Sequence, residues 1–488
     1  MNFAEAMKRQ STLKLTENGA VAYNSIGNSL IELFSQIGAL RPRSEEEIKN
    51  KFIAAYRQNP VLATKMLFYA GNIRGGLGER RTFRICLRAL AQYNSKVVVA
   101  NIHNIAYYNR FDSLFELIGT GAEKAMWNYI KETLFKDLDA AHIAKPVSLL
   151  AKWLPSEKAH SHKTRELYYR ALSGLGLTPR RYRKIISHLR KYIDVTEQKM
   201  SGREWSEIDY SAVPSHAMKN YSSAFLKHDA ERFTEYVMDV RSGDKKINSS
   251  ALFPYDLVKN YMPWSPETSN LVAEEQWRAL PNYIEGEHNI VVMADVSGSM
   301  VGRPMDTSIG LAIYFAERNK GPYANMYMTF TNNPHFITIN PNDSLSYKVH
   351  QVRHNDVGYS TNLEAAFEAI LNTAIVGNIA PDDMPEALVV ISDMEIDGYM
   401  RGRGMDFVDE MKYRFWDHGY AMPKLILWNV EARNDTYLTQ SEDVILVSGQ
   451  SPAVFKSFIN SIKGTTREEV MLETLNDPMY DRVDTSFC

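Results

Sequence analysis

The segment DVSGSM sets Asp295, Ser297 and Ser299 at alternate positions just beyond a short apolar run. In an extended chain alternate side chains point the same way, so a carboxylate and two hydroxyls can converge where the strand ends and the chain turns. Such oxygens suit a hard cation: Mg²⁺ takes oxygen ligands at about 2.0–2.1 Å in octahedral geometry and keeps several waters. Two later loops offer more oxygen. GYSTNLEAAF brings Thr361 to the front of a helical pattern, and VVISDMEID carries Asp393 at the end of an apolar run. The competing assignment is helix capping, in which the hydroxyl of Ser297, Ser299 or Thr361 would accept a backbone N–H at a helix start. Taken together, three loops favour a divalent-cation site built from Asp295, Ser297, Ser299, Thr361 and Asp393.

A second stretch carries a different chemistry. Residues 152–203 hold 13 Lys and Arg against 4 Asp and Glu. They include Lys152, Lys158, Lys163, Arg165, Arg170, Arg180, Arg181, Arg183, Lys184, Arg190 and Lys191, interleaved with Tyr168, Tyr169, Tyr182 and Tyr192. Cations for phosphates and flat rings for unstacked bases are what single-stranded RNA requires. The alternative is a solvated basic helix face over core tyrosines.

Other signals are weaker. RGGLGERR is glycine-rich but lacks the Lys-Ser/Thr ending of a P-loop. His160 and His162 have no His or Cys partner at ligand spacing, and no nucleophile elbow G-x-S-x-G surrounds DVSGSM. The two cysteines, Cys86 and Cys488, supply neither a disulfide framework nor a thiolate zinc site.

The elements that must position these groups differ between the two halves. Leu62, Met66, Tyr69, Ala70 and Ile73 recur at helical spacing, as do Phe83, Cys86, Leu87 and Leu90, with the glycines of RGGLG between them. Val98, Ile102 and Ile105 continue the pattern, and residues 1–250 are expected to be all-α, a helical repeat or bundle. Residues 251–288, with Pro254, Pro263, Pro266 and Pro281, are expected as a connector. From residue 289 short branched runs appear: 289–296, 325–331, 387–393, 424–430 and 444–449, with an edge hairpin at 334–339. Helical patterns at 309–316, 363–374 and 405–418 alternate with them, which predicts a doubly wound α/β domain over 289–463 and a tail over 464–488. Ligands of such sheets bind at the carboxyl ends of the strands, where the three oxygen-bearing loops fall.

The net charge of −2 conceals an asymmetry: residues 289–488 carry 15 basic and 27 acidic groups, and the first 288 carry 41 and 31. A basic half suits polyanions and an acidic half suits cations or basic surfaces. With no apolar run of about 18 residues and no apolar signal-type start, an intracellular, cytoplasmic chain without membrane association is expected.

The oxygen motif resembles the von Willebrand factor A domain and its metal-ion-dependent adhesion site. That resemblance implies that Asp295, Ser297, Ser299, Thr361 and Asp393 hold Mg²⁺ and that an acidic residue of a protein partner completes the shell. The third loop reads SDMEID where T-D-G is commoner, so Asp393 would bind directly or through water, with Glu395 or Asp397 in support. LTENGAVAY, RGGLGERR, AKWLPSE, YRKIISHLRKYIDVTEQKMSGREW and IDYSAVPSHAM are similar to the TROVE-type module of the Ro autoantigen family, closest to its plant and viral relatives. The resemblance implies a HEAT-like helical ring closed by the A domain, binding small structured or single-stranded RNA without catalysis. Two rivals stand beside it. One is a metal-dependent protein-interaction scaffold. The other is a metal-dependent phosphotransfer enzyme or nuclease, for which Asp356, Glu395 and Asp397 are the candidate bases.

Overall fold

The computed structural model describes residues 12–259, 261, 271–355, 361–397, 407–459, 462 and 465–488. Its first element departs from the all-α expectation. Strands β1 (Leu13–Leu15) and β2 (Val21–Tyr23) pair antiparallel as a hairpin, and Tyr23 exchanges backbone hydrogen bonds with Tyr437 far along the chain. The opening residues therefore dress the α/β domain.

Helices then follow one another: α1 (Ser29–Phe34), α2 (Glu45–Gln58), α3 (Pro60–Gly71), α4 (Arg80–Tyr93), α5 (Ser95–Ala100) and α6 (Ile102–Tyr108). The expected stripes are the buried faces, Met66, Tyr69 and Ala70 on α3 and Phe83, Cys86, Leu87 and Leu90 on α4. RGGLG turns between them, closed by Leu77 N–H on Tyr69 O (3.1 Å) and Glu79 N–H on Ala70 O (2.7 Å). The third stripe is broken in two at Asn101, whose side chain turns back to Val97 O (3.0 Å). Asparagine offers the backbone such a local alternative to continuing a helix.

Helix α7 (Glu123–His142) carries the basic segment, because α8 (Leu150–Trp153), α9 (His162–Leu175) and α10 (Pro179–Ile193) all pack on it. After α11 (Thr196–Gly202), α12 (Ser215–His228) and α13 (Ala230–Ser242) enclose a separate small core of Tyr210, Phe225, Phe233 and Tyr236. The connector is itself packed. It contains α14 (Pro254–Val258) and α15 (Leu271–Arg278), and α14 lies so close to α16 (Arg303–Arg318) that a Cβ on Gly310 would sit 2.9 Å from Pro254.

The sheet has the order β5-β4-β3-β6-β7-β8, with β3 (Ile290–Ala294), β4 (Met326–Thr329), β5 (Phe336–Thr338), β6 (Ala387–Ser392), β7 (Lys424–Asn429) and β8 (Ile445–Ser448). Every neighbouring pair is parallel except the antiparallel edge β4–β5. Alternate residues feed two cores. Val292, Val389 and Ile426 join α16 and the helical half, whereas Val291, Val390 and Leu427 pack with α18 (Leu363–Gly377) and α19 (Phe407–Asp417). Helix α17 (Leu345–Asn355) lies against α16, and α20 (Arg467–Leu475) packs on α1, α3 and β8. The helical series thus rests on the α/β domain at its start through α1 and at its end through α14 and α15. Among the described residues no helix is long and apolar enough to cross a membrane.

Candidate metal centre and basic face

Strand β3 delivers Asp295 to the rim of the sheet, where its N–H bonds Ile391 O (3.0 Å) and its side chain is fully buried. One carboxylate oxygen accepts Ser297 N–H (2.9 Å); the other accepts the hydroxyl of Ser392 (2.6 Å), the last residue of β6. Burial pushes the Asp295 carboxyl up to about 6; hydrogen bonds from Ser392 and Ser297 oppose the rise, and the neighbouring Asp393 adds to it.

The hydroxyls of Ser297 and Ser299 lie 3.1 Å apart. Neither serves as a cap: no side chain caps the short turn Gly298–Met300, and α16 has Gly302 at its N-cap and no side-chain cap. Thr361 is not a cap either, since Asn362 caps α18 by accepting Ala365 N–H (2.9 Å). The Thr361 hydroxyl instead donates to Glu395 O (3.2 Å) and accepts Asp397 N–H (3.1 Å), joining its loop to the one that carries Asp393. Capping therefore accounts for none of the three hydroxyls.

Asp393 is buried at the end of β6 and accepts Glu395 N–H (3.1 Å). Its second oxygen pairs with the guanidinium of Arg433 (2.5 Å), which also donates to Ser299 O. The next residue, Met394, has φ 70°, a left-handed conformation that non-glycine residues rarely take. Glu431 stands 3.8 Å from the same guanidinium, and burial raises its carboxyl.

The donor set fits a hard divalent cation. It is all oxygen, with two carboxylates and hydroxyls free of capping duty. The 3.1 Å between the serine hydroxyls is close to the edge of about 3 Å that an octahedron with 2.1 Å bonds requires. Among the described residues no three His, Cys, Asp or Glu side chains are grouped so as to hold a metal, so an ion here would rest on the two carboxylates together with the hydroxyls. Of the candidate bases, Glu395 accepts Glu17 N–H (2.7 Å) and Asp397 accepts Thr361 N–H (2.6 Å), while Asp356 lies outside the described residues.

The basic segment divides. Lys158, Lys163, Arg165, Arg170, Arg180, Arg181, Arg183, Lys184 and Lys191 are exposed. Arg180, Lys184 and Lys191 share one face of α10, at spacings of four and seven residues. Arg170 pairs with Glu166 (3.5 Å) and Arg183 with Glu157 (3.2 Å). Arg165 donates to Ala159 O (3.0 Å) and His160 O (3.2 Å), and half-buried Lys152 lies 6.0 Å from the Trp153 ring. Arg190 does not belong to the free surface: its guanidinium bonds Ala151 O (2.9 Å), Leu154 O (2.6 Å) and the Ser156 hydroxyl (2.7 Å), clamping α8 to α10. Tyr168 and Tyr182 are core residues, whereas Tyr169 and Tyr192 are 64% and 37% exposed.

Comparison with known proteins follows the same division of the chain. The family described as domain of unknown function DUF2828 matches residues 16–138 and 128–288, and the one described as domain of unknown function DUF7788 matches 289–485. A protein of Acanthamoeba polyphaga mimivirus, described as uncharacterized protein L728, is 30% identical over 92% of this chain and 85% of its own length. The chain belongs to the DUF2828 family. In this DUF2828 chain the residues that sequence reading missed are Ser392, Arg433 and Asn362. Asn362 stands where any helix start invites a cap. Arg433 sits in VEARND beyond β7, a further strand-end loop, and only that position pointed to it, whereas Thr361 lies between α17 and α18.

Proposed function

We propose that this chain is a non-catalytic RNA-binding protein of Ro type, with a HEAT-like helical module joined to a von Willebrand factor A-like domain that binds Mg²⁺ in the cytoplasm. The observation that carries the reading is the exposed face of α9 and α10. Among the described residues no ion pair engages Lys158, Lys163, Arg180, Arg181, Lys184 or Lys191, and the exposed rings of Tyr169 and Tyr192 lie in the same segment. Unpaired cations there repel one another unless a polyanion covers them. A helical series that starts and ends on the α/β domain supports the Ro-like architecture. Asp295, Ser297, Ser299, Thr361 and Asp393 would hold the ion, which when bound supplies a Lewis-acidic charge for a carboxylate of a protein partner.

The test is fluorescence anisotropy with labelled single-stranded RNA. Binding to a single strand through six to ten phosphates should weaken by roughly 300-fold to 10⁴-fold between 50 and 200 mM salt. Failure to bind at any salt leaves a second reading, a metal-dependent protein scaffold, which Val301 favours: it is 74% exposed two residues beyond Ser299 and would offer a partner an apolar contact. RNA that stays intact over hours with Mg²⁺ excludes a nuclease.

A further inference from the structure

Four asparagines on the helical half hold one peptide segment. The amide of Asn101 donates to Asp484 O (2.6 Å) and accepts Asp484 N–H (2.8 Å). Asn104 donates to Arg482 O (2.9 Å) and accepts from the Arg482 side chain (2.8 Å). Asn94 donates to Phe487 O (3.0 Å), Asn72 to the Tyr480 hydroxyl (3.3 Å), and the Tyr108 hydroxyl to Met479 O (2.5 Å). These residues lie along α3 to α6 and their caps, and the segment they grip is 478–488.

The chemistry is that of peptide recognition. A primary amide carries a donor and an acceptor in the spacing of a peptide unit, so Asn101 reads main chain whatever side chain stands there. Selectivity comes from two further contacts. The Tyr480 ring is buried between Tyr69 and Tyr108, at centroid distances of 6.1 and 5.6 Å, and the Arg482 guanidinium lies 3.7 Å over the Tyr107 ring. Tyr480 and Val483 are buried against the helical half, and the other contacts are amide hydrogen bonds, which water satisfies as well as peptide does. Asp481, Arg482, Ser486 and Phe487 already face solvent.

We infer that this asparagine-lined groove is a peptide-binding site, filled by the chain's own residues 478–488 and open to a partner segment in which arginine follows an aromatic residue by two positions. The inference is independent of the metal and RNA readings. The resident segment is a tethered competitor, present at an effective concentration on the order of millimolar.

The test uses the full chain and a labelled synthetic peptide of residues 476–488. The double variant Tyr480→Ala, Arg482→Ala loosens the resident segment and leaves the groove intact, so it should bind the peptide at least tenfold more tightly than wild type does. Adding Asn101→Ala and Asn104→Ala should cancel that gain. No gain in a folded double variant, or a gain that survives loss of both asparagines, overturns the inference. Should the double variant not fold, hydrogen exchange on the wild-type chain decides. The amides of Val483 and Asp484 should exchange at least 100-fold faster than those of α4, and equal rates would mean that the segment leaves only on global unfolding.

Discussion

Arg433 places a positive charge against Asp393 at the rim where the oxygen motif calls for a cation, so guanidinium and metal compete for one carboxylate. Arg433→Ala should therefore tighten Mg²⁺ binding by roughly tenfold, about 1.4 kcal/mol, because it removes both a competitor and a like charge. Asp295→Ala should abolish it while RNA affinity stays within about twofold; isothermal titration and anisotropy read the two, and loss of both in folded protein would merge the sites. The spacing of Asp295, Ser297 and Ser299 was legible because a strand end concentrates its chemistry within five residues. Arg433 was not, since its partner lies 40 positions away and no local pattern marks the pairing. A separate residue gives a pH handle. Burial, with Lys259 nearby, pushes the Lys219 ammonium down to about 8. The fold disfavours its charged form, so Lys219 contributes a penalty below pH 8 that fades as pH rises towards the ordinary lysine value of about 10.4. An amine-acylating reagent at pH 8 should label Lys219 ahead of the surface lysines, and Lys259→Ala should reduce that preference; mass spectrometry of the digested protein measures both.

Helix α10 does two jobs that its composition alone does not separate. Its basic residues follow one periodicity, and only packing tells which of them remain free. Arg190 sits at the edge of the buried stripe Tyr182, Ile186 and Leu189 and reaches back to carbonyls of the α8 turn. Arg190→Ala should cost about 1–3 kcal/mol in denaturant unfolding, since it leaves buried carbonyls without donors. Replacing Arg180, Arg181, Arg183 and Lys184 by Glu should leave stability nearly unchanged and reduce the salt slope of RNA binding by about 0.7 per lost phosphate contact. Unchanged RNA affinity in that variant would place the RNA surface elsewhere. The stripes on α3, α4, α16 and α18 were readable because each buries one continuous face. The hairpin β1–β2 was not, because two strands of three residues gain their stability from Tyr437 and Glu395, which no local window contains.

At the scale of the molecule, the halves of opposite charge are joined by an apolar core more than by ion pairs. One continuous cluster runs from Leu33 and Phe68 in the helices through Trp428 and Val447 in the sheet to Tyr480. Sequence periodicity assigns faces to helices and strands but leaves open which face meets which, so this shared core could not be read in advance. Backbone meets backbone across it at Gly38, whose N–H bonds the Ser448 hydroxyl (3.0 Å). A Cβ there would meet Gly449 Cα at 2.6 Å, backbone that has no rotamer with which to yield. Gly38→Ala should therefore destabilise the protein by about 1–3 kcal/mol, as overpacking does. Because that contact belongs to both halves, calorimetry should show one transition moving down as a whole. Two transitions, of which only one shifts, would mean that the helical module and the sheet fold separately and meet at a contact too weak to couple them.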